Sequence, residues 1–175
     1  MPSHSRRIAL LGLAFAALLG AGAAQAQAAL DNILKSRTLK VAIPTDYPPY
    51  GSVDKTLQPV GLDIDMAKLI ATKLGVKIEL VPVTSANRIP YLQTKKADLV
   101  ISTLGKNAER EKVIDFSSAY APFFQGVFGP KNLSVKSFND LAGKTVAVTR
   151  GAMEDQELNK VAPPNVDYRR FEDNN

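Results

Sequence analysis

The chain has no cysteine and no tryptophan among its 175 residues, and its one histidine is His4. Without cysteine there is no disulfide framework, no thiolate metal site and no cysteine-borne lipid anchor. With histidine confined to the extreme N-terminus, a His-based catalytic triad or a His-rich metal cluster is also excluded. No catalytic residue, metal site or cofactor is expected. The excess of one charge sign is small too. The formal net charge is +5, and once Arg6 and Arg7 are set aside, 20 basic residues face 17 acidic ones, a surplus of 3. The signs are interspersed, which gives nucleic-acid binding little support. No internal repeat or low-complexity tract is present.

Acidic residues are absent from residues 1–26. This stretch opens on Arg6 and Arg7, runs through the apolar Ile8–Leu19 and ends at Ala24-Gln25-Ala26, the three-part pattern of a cleavable export signal. Ala26-Gln27-Ala28 is an alternative cleavage position. The apolar run of about 12 residues is shorter than the ~20 a spanning helix needs. Export to the periplasm is the expectation, with residues 27–38 as a lead-in to the folded part.

Apolar periodicity then alternates between strand and helix. Leu39–Ile43 reads as a buried strand, and the prolines of Pro44–Gly51 predict a loop. Gly61–Leu74 reads as a helix with Leu62, Met66, Leu69, Ile70 and Leu74 on one face, Asp63 and Asp65 favouring its first turn, and Gly75 as its C-terminal cap. Strands are expected at Lys77–Val83, Ala97–Thr103, Gln125–Phe128, Lys144–Val148 and Val166–Phe171. Helices are expected at Arg88–Lys95, after Asn107, at Ser137–Leu141 and from the Gly151 turn to about Lys160. The alternation predicts an α/β fold with a mostly parallel sheet covered on both faces. Gly129-Pro130 marks a break, and the roughly 45 residues beyond it are too few for a core of their own, so truncation at the C-terminus is expected.

Open α/β sheets bind ligands beyond the carboxyl ends of their strands. Three loops fall there: Thr45–Tyr50, Ser102–Gly105 followed by Arg110, and Thr149–Met153. Tyr47 and Tyr50 offer apolar walls with polar edges. Thr103 offers a hydroxyl, Gly105 allows close backbone approach, and Arg110 can grip a carboxylate through two parallel hydrogen bonds. The Gly151 turn opens a helix whose free N–H groups favour an anion. By residue type alone the bland readings are as natural: a solvated arginine, tyrosines packing a turn, a glycine at an ordinary strand–helix junction.

The run Gly61-Leu62-Asp63-Ile64-Asp65-Met66, followed by Ile70, Ala71 and Leu74, resembles the signature helix of the bacterial extracellular solute-binding proteins of family 3, the polar amino-acid receptors of ABC importers. Ala97–Ile101, Glu109-Arg110 and Ile114-Asp115-Phe116-Ser117 resemble the family as well, and the likeness runs from about Leu39 to the end. It implies a type II periplasmic-binding-protein fold, two α/β lobes joined by a hinge, with residues 39–130 as lobe one and 131–175 as part of lobe two. It implies Asp46, Tyr47 and Tyr50 at the cleft edge, and Ser102, Thr103 and Gly105 at the ligand's α-amino and α-carboxylate groups. Arg110 would clamp the α-carboxylate, with Thr149, Gly151 and Met153 as second-lobe donors. Asn87-Arg88-Ile89-Pro90 resembles receptors for acidic amino acids, which implies Arg88 at a side-chain carboxylate and glutamate or aspartate as solute.

Gly105 replaces a Ser or Thr common in the family, and Met153 a Thr, which weakens both contacts. The acid that holds the ligand ammonium lies, by the same likeness, past Asn175. The implied partners are a small amino acid and an inner-membrane ABC permease, with no nucleic acid and with a monomer as the default. The competing expectations are a cyclohexadienyl dehydratase-like enzyme on this scaffold, which needs a positioned acid, a sensor module of a larger protein, and a fragment without binding activity.

Overall fold

The computed structural model describes residues 27–122 and 124–175. The expected export segment, residues 1–26, lies outside them. The lead-in carries a helix, α1 (27–36), whose Ile33 reaches the core. The central strand β1 (Thr38–Ile43) pairs in parallel with β5 (Lys77–Pro82) on one side and β6 (Leu99–Val100) on the other. β1 is buried on both faces, as parallel sheets require. Leu39, Val41 and Ile43 point to one side, with Ile64, Ala67 and Ala71 of helix α2 (Leu62–Leu74) and with Ile101. Ala42 points to the other side, with Val83 and Ala97. This two-residue alternation follows from strand geometry.

α2 ends as expected, on Gly75 in the left-handed conformation at φ 67°. Of its expected inner face, Met66, Ile70 and Leu74 pack against the core, but the most buried positions are shifted round the helix. Leu62 and Leu69 stay 44% and 52% exposed, while Asp63, Ile64, Ala67 and Ala71 are buried. The small side chains of Ala67 and Ala71 let the helix lie close against β1, and the larger leucines are turned to its flank.

Three further expectations are corrected. The Pro44–Gly51 loop contains part of a small antiparallel sheet, β2 (Asp46–Tyr47), β3 (Gly51–Val53) and β4 (Pro59–Val60). Its strands are only two or three residues long and flank Pro48-Pro49 rather than including it. Gln125–Phe128 forms no strand, and Phe128 is 95% exposed. A strand needs a ladder partner, and no described segment pairs with this one. The Ala97–Thr103 strand is shortened to β6, although Asp98 and Ile101 still donate to the carbonyls of Lys40 and Ala42.

Helix α3 (Arg88–Gln93) follows β5, and the short helix α4 (Ala108–Glu111) is capped by the Asn107 side chain, which accepts from the Arg110 N–H. After a 3₁₀ turn at Phe138–Leu141, β7 (Thr145–Thr149), α5 (Met153–Val161) and β8 (Asp167–Phe171) form a parallel β–α–β unit. Its core is Leu141, Leu158 and Val166.

Candidate functional site

The C-terminal ends of β1, β6 and β7 face one another across a cavity of about 1050 Å³, at the upper end of the ~300–1,000 Å³ usual for small-molecule clefts. Asp46, Tyr47, Arg88, Ser102, Thr103, Thr149 and Met153 line it. Arg110 and Gly151 line a smaller cavity, about 100 Å³, beside it. Tyr50 lines neither; it stacks on Tyr47 at 5.7 Å between ring centroids, and its hydroxyl donates to the Pro122 carbonyl at 3.4 Å. Gly105 also lines neither, and offers its carbonyl to Arg110 Nη1 at 2.7 Å.

The two arginines are the most buried cations of the site, 4% exposed at Arg88 and 3% at Arg110. Arg88 is fixed as a strut. Its Nε donates to the Ser85 carbonyl at 3.1 Å, its Nη1 to the Ser102 and Thr103 carbonyls at 2.9 and 3.4 Å, and its Nη2 to the Gly151 carbonyl at 3.4 Å. Arg110 Nη2 reaches the same Gly151 oxygen at 3.1 Å. Two guanidinium groups from the β1 sheet side thus converge on one carbonyl from the β7–β8 side. Neither forms an ion pair with a carboxylate among the described residues, and Arg110 Nε is buried with no hydrogen-bond partner. Burial, then the neighbouring Arg110 charge, pulls Arg88 down to about 10, against the opposing pull of Glu154 and Asp46. Burial lowers Arg110 too, with Glu154 and Glu157 acting the other way. Desolvated cations of this kind hold anions tightly, because a carboxylate restores the lost solvation.

The Gly151 turn is oriented otherwise than expected. Gly151 adopts φ 73°, and its N–H donates to Asp155 Oδ2 at 3.2 Å, while its carbonyl faces the arginines. The Ala152 N–H is spent on the Thr149 carbonyl. The unpaired donors of α5 therefore begin at Met153. The turn sits tightly on the opposite side: a Cβ at Gly151 would lie 3.0 Å from Ala86 Cα.

Two features were not legible as site elements. Asp63, read only as a first-turn acid, is fully buried and accepts from the Thr103 N–H at 3.0 Å and from the Tyr120 hydroxyl at 2.8 Å. It holds Thr103 at φ 46°, a left-handed conformation uncommon outside glycine. Burial raises the Asp63 carboxyl above its ordinary value, and the two hydrogen bonds oppose that shift. Asn174 bridges the cavity mouth: its backbone N–H and side-chain amide donate to Asp46 Oδ2 at 2.8 and 2.9 Å, and Thr149 Oγ1 donates to its side-chain oxygen at 2.6 Å. Separations of 40 and 57 residues hide the first set of contacts from local periodicity, and a 128-residue separation hides the second.

Residues 39–163 match the family model described as bacterial extracellular solute-binding proteins, family 3. The chain is 37% identical over 139 residues to the glutamine-binding protein of Geobacillus stearothermophilus, covering 77% of this chain and 53% of that protein. It is 31% identical over 147 residues to the glutamate/aspartate import solute-binding protein of Salmonella typhimurium, covering 80% of this chain and 49% of that one. Among solved structures, it resembles the ancestral amino acid-binding protein AncCDT-1, a precursor of cyclohexadienyl dehydratase, with a TM-score of 0.75, 41% identity, 83% of this chain covered and 65% of that chain. The chain thus spans about half the length of these curated relatives.

Proposed function

The chain belongs to the bacterial extracellular solute-binding proteins, family 3, and from that premise we propose that it captures a polar amino acid for import, with glutamate or aspartate as the solute. The observation that carries this reading is the pair of buried arginines, Arg88 and Arg110, meeting at one carbonyl oxygen without a carboxylate partner. Two desolvated cations side by side repel one another, and a solute bearing two carboxylates relieves both at once. Arg110 takes the α-carboxylate and Arg88 the side-chain carboxylate. Ser102 and Thr103 flank the pair, and Thr149 and Met153 close on the solute from the other side. The likeness to the Salmonella typhimurium glutamate/aspartate protein points the same way.

In this reading the protein is exported by a cleavable signal over residues 1–26 and hands its solute, as a monomer, to an inner-membrane ABC permease. It has no catalytic step. The likeness to a dehydratase precursor makes prephenate turnover the control assay for the enzymatic alternative. Isothermal titration with L-glutamate, L-aspartate and L-glutamine tests the solute. Arg88→Ala is expected to weaken glutamate on the order of 10–100-fold, the loss of a charge-assisted hydrogen bond, and glutamine by less. An Arg88→Ala protein of native far-UV circular dichroism that keeps full glutamate affinity refutes the assignment.

A further inference from the structure

Arg110, the cation assigned to the α-carboxylate above, is carried on a helix of only four residues, α4. A single turn has too few hydrogen bonds of its own to hold a fixed place in water. We infer that Gln156, on α5 of the opposite wall, is a positioning residue for Arg110, acting across the cleft through the Asn107 carboxamide, and that the affinity for any α-amino acid depends on it. The inference rests on the amino-acid reading above and extends it to a residue outside the three site loops.

Asn107 is bonded at both ends. Its Oδ1 accepts from the Arg110 N–H at 2.9 Å, as the cap of α4, and its Nδ2 donates to Gln156 Oε1 at 3.0 Å. Nδ2 also lies 3.5 Å from Met153 Sδ, a weaker acceptor on the same helix. The first bond decides the second. Only the carboxamide oxygen can receive the Arg110 N–H, so the amide nitrogen is turned to α5, where it needs an acceptor of its own. Gln156 supplies that acceptor from 49 residues further along the chain.

Arg110 and its cap therefore meet the α5 side at two points. The guanidinium reaches the Gly151 carbonyl at 3.1 Å, and the cap reaches Gln156. Arg110, Gly151 and Gln156 line the same cavity of about 100 Å³. A solute carboxylate on Arg110 competes with the first contact and leaves the second untouched, so the Asn107–Gln156 bond continues to hold α4 when solute is bound. Because it acts on the cation for the α-carboxylate, its contribution is the same whatever side chain the solute carries. Arg88, by contrast, separates glutamate from glutamine.

A double-mutant cycle tests the coupling. Gln156→Met keeps the length of the side chain and removes the oxygen. Asn107→Ser keeps a good cap for α4 and is too short to reach α5. Isothermal titration with L-glutamate and L-glutamine is run on wild type, each single variant and the double variant. Gln156→Met is expected to weaken both solutes by the same factor, about 2–10-fold, the net worth of one hydrogen bond. In the Asn107→Ser background the same substitution is expected to change neither affinity. A general disturbance of α5 would instead produce equal losses in the two backgrounds. That result, an unchanged affinity in Gln156→Met, or a loss confined to one solute overturns the positioning role and leaves the amino-acid reading standing. A wild-type chain that binds neither glutamate, aspartate nor glutamine overturns that reading, and this inference with it.

Discussion

Replacing Asp63 separates its electrostatic and hydrogen-bonding contributions. In Asp63→Ala the Thr103 N–H and the Tyr120 hydroxyl both lose their acceptor in a region where Asp63 itself is fully buried. Stranding the Thr103 N–H costs about 1–3 kcal/mol, and the hydroxyl of Tyr120, a residue 45% exposed, adds a smaller part because it can turn to water. Removing a carboxyl that burial has already made costly to ionise returns part of this, so the net loss is about 1–3 kcal/mol. Thr103, freed from its left-handed conformation, would also relax, and solute affinity would fall with stability. Asp63→Asn behaves differently. Its amide oxygen can take the Thr103 N–H and its amide nitrogen can donate to the Tyr120 oxygen, so the loss is under about 1 kcal/mol. The sign of the pH effect follows from the raised carboxyl. Its stabilising contribution is complete below the unfolded-state value near 3.9 and is lost as pH rises through the higher folded-state value. Asn carries no such term, so the difference between Asp63→Asn and wild type shifts in favour of Asn between about pH 4 and neutrality. With no tryptophan in the chain, urea unfolding followed by far-UV circular dichroism is the suitable assay. An Asp63→Ala loss below 1 kcal/mol, or an Asn–Asp difference flat with pH, would refute this account.

The glycine turns give a paired prediction. Gly151→Ala is expected to cost about 1–2 kcal/mol for a left-handed alanine and more for its contact with Ala86, whereas Gly75→Ala, at a similar φ with nothing within 4 Å, pays the first cost alone. Urea melts of the two variants isolate the Ala86 contact as their difference. Asn107→Ala removes the cap of α4 and the 3.0 Å bond to Gln156. It is expected to lower stability by about 0.5–2 kcal/mol and, because Arg110 is carried on α4, to weaken solute binding, both readable from thermal melts with and without glutamate.

The sequence makes the repeating part of the fold legible. The apolar run Leu39–Ile43 and the alternation in Lys77–Val83 identify two strands of the parallel sheet, and Gly75 marks the end of α2 to the residue. The contacts that decide orientation are less visible. Which face of α2 turns inward depends on Ala67 and Ala71 fitting close to β1, and hydrophobic periodicity gives more weight to the larger Leu62 and Leu69. At the site, Arg88 and Arg110 can be singled out by residue type and family likeness. Their shared acceptor at Gly151 cannot, because it depends on a peptide plane turning its carbonyl rather than its N–H toward them. Asp63 illustrates the same limit: a first-turn acid carries a local explanation that conceals its bonds to Thr103 and Tyr120, 40 and 57 residues away.

The two sides of the cleft share no buried apolar cluster among the described residues. Ile33 through Ile101 supply the clusters around β1, and Val135 through Tyr168 supply the one behind β7. They meet instead through Arg88 and Arg110 at Gly151, Asn107 at Gln156, and Asn174 between Asp46 and Thr149. Separating them exposes little apolar surface, and heat capacity tracks exposed apolar surface. Separating the two sides is therefore a change of small heat capacity. Its free energy varies gently and almost linearly with temperature, while unfolding of either side follows the strongly curved profile of a hydrophobic core, so the range of temperatures over which the cleft persists is set by its cores and not by the polar contacts between them.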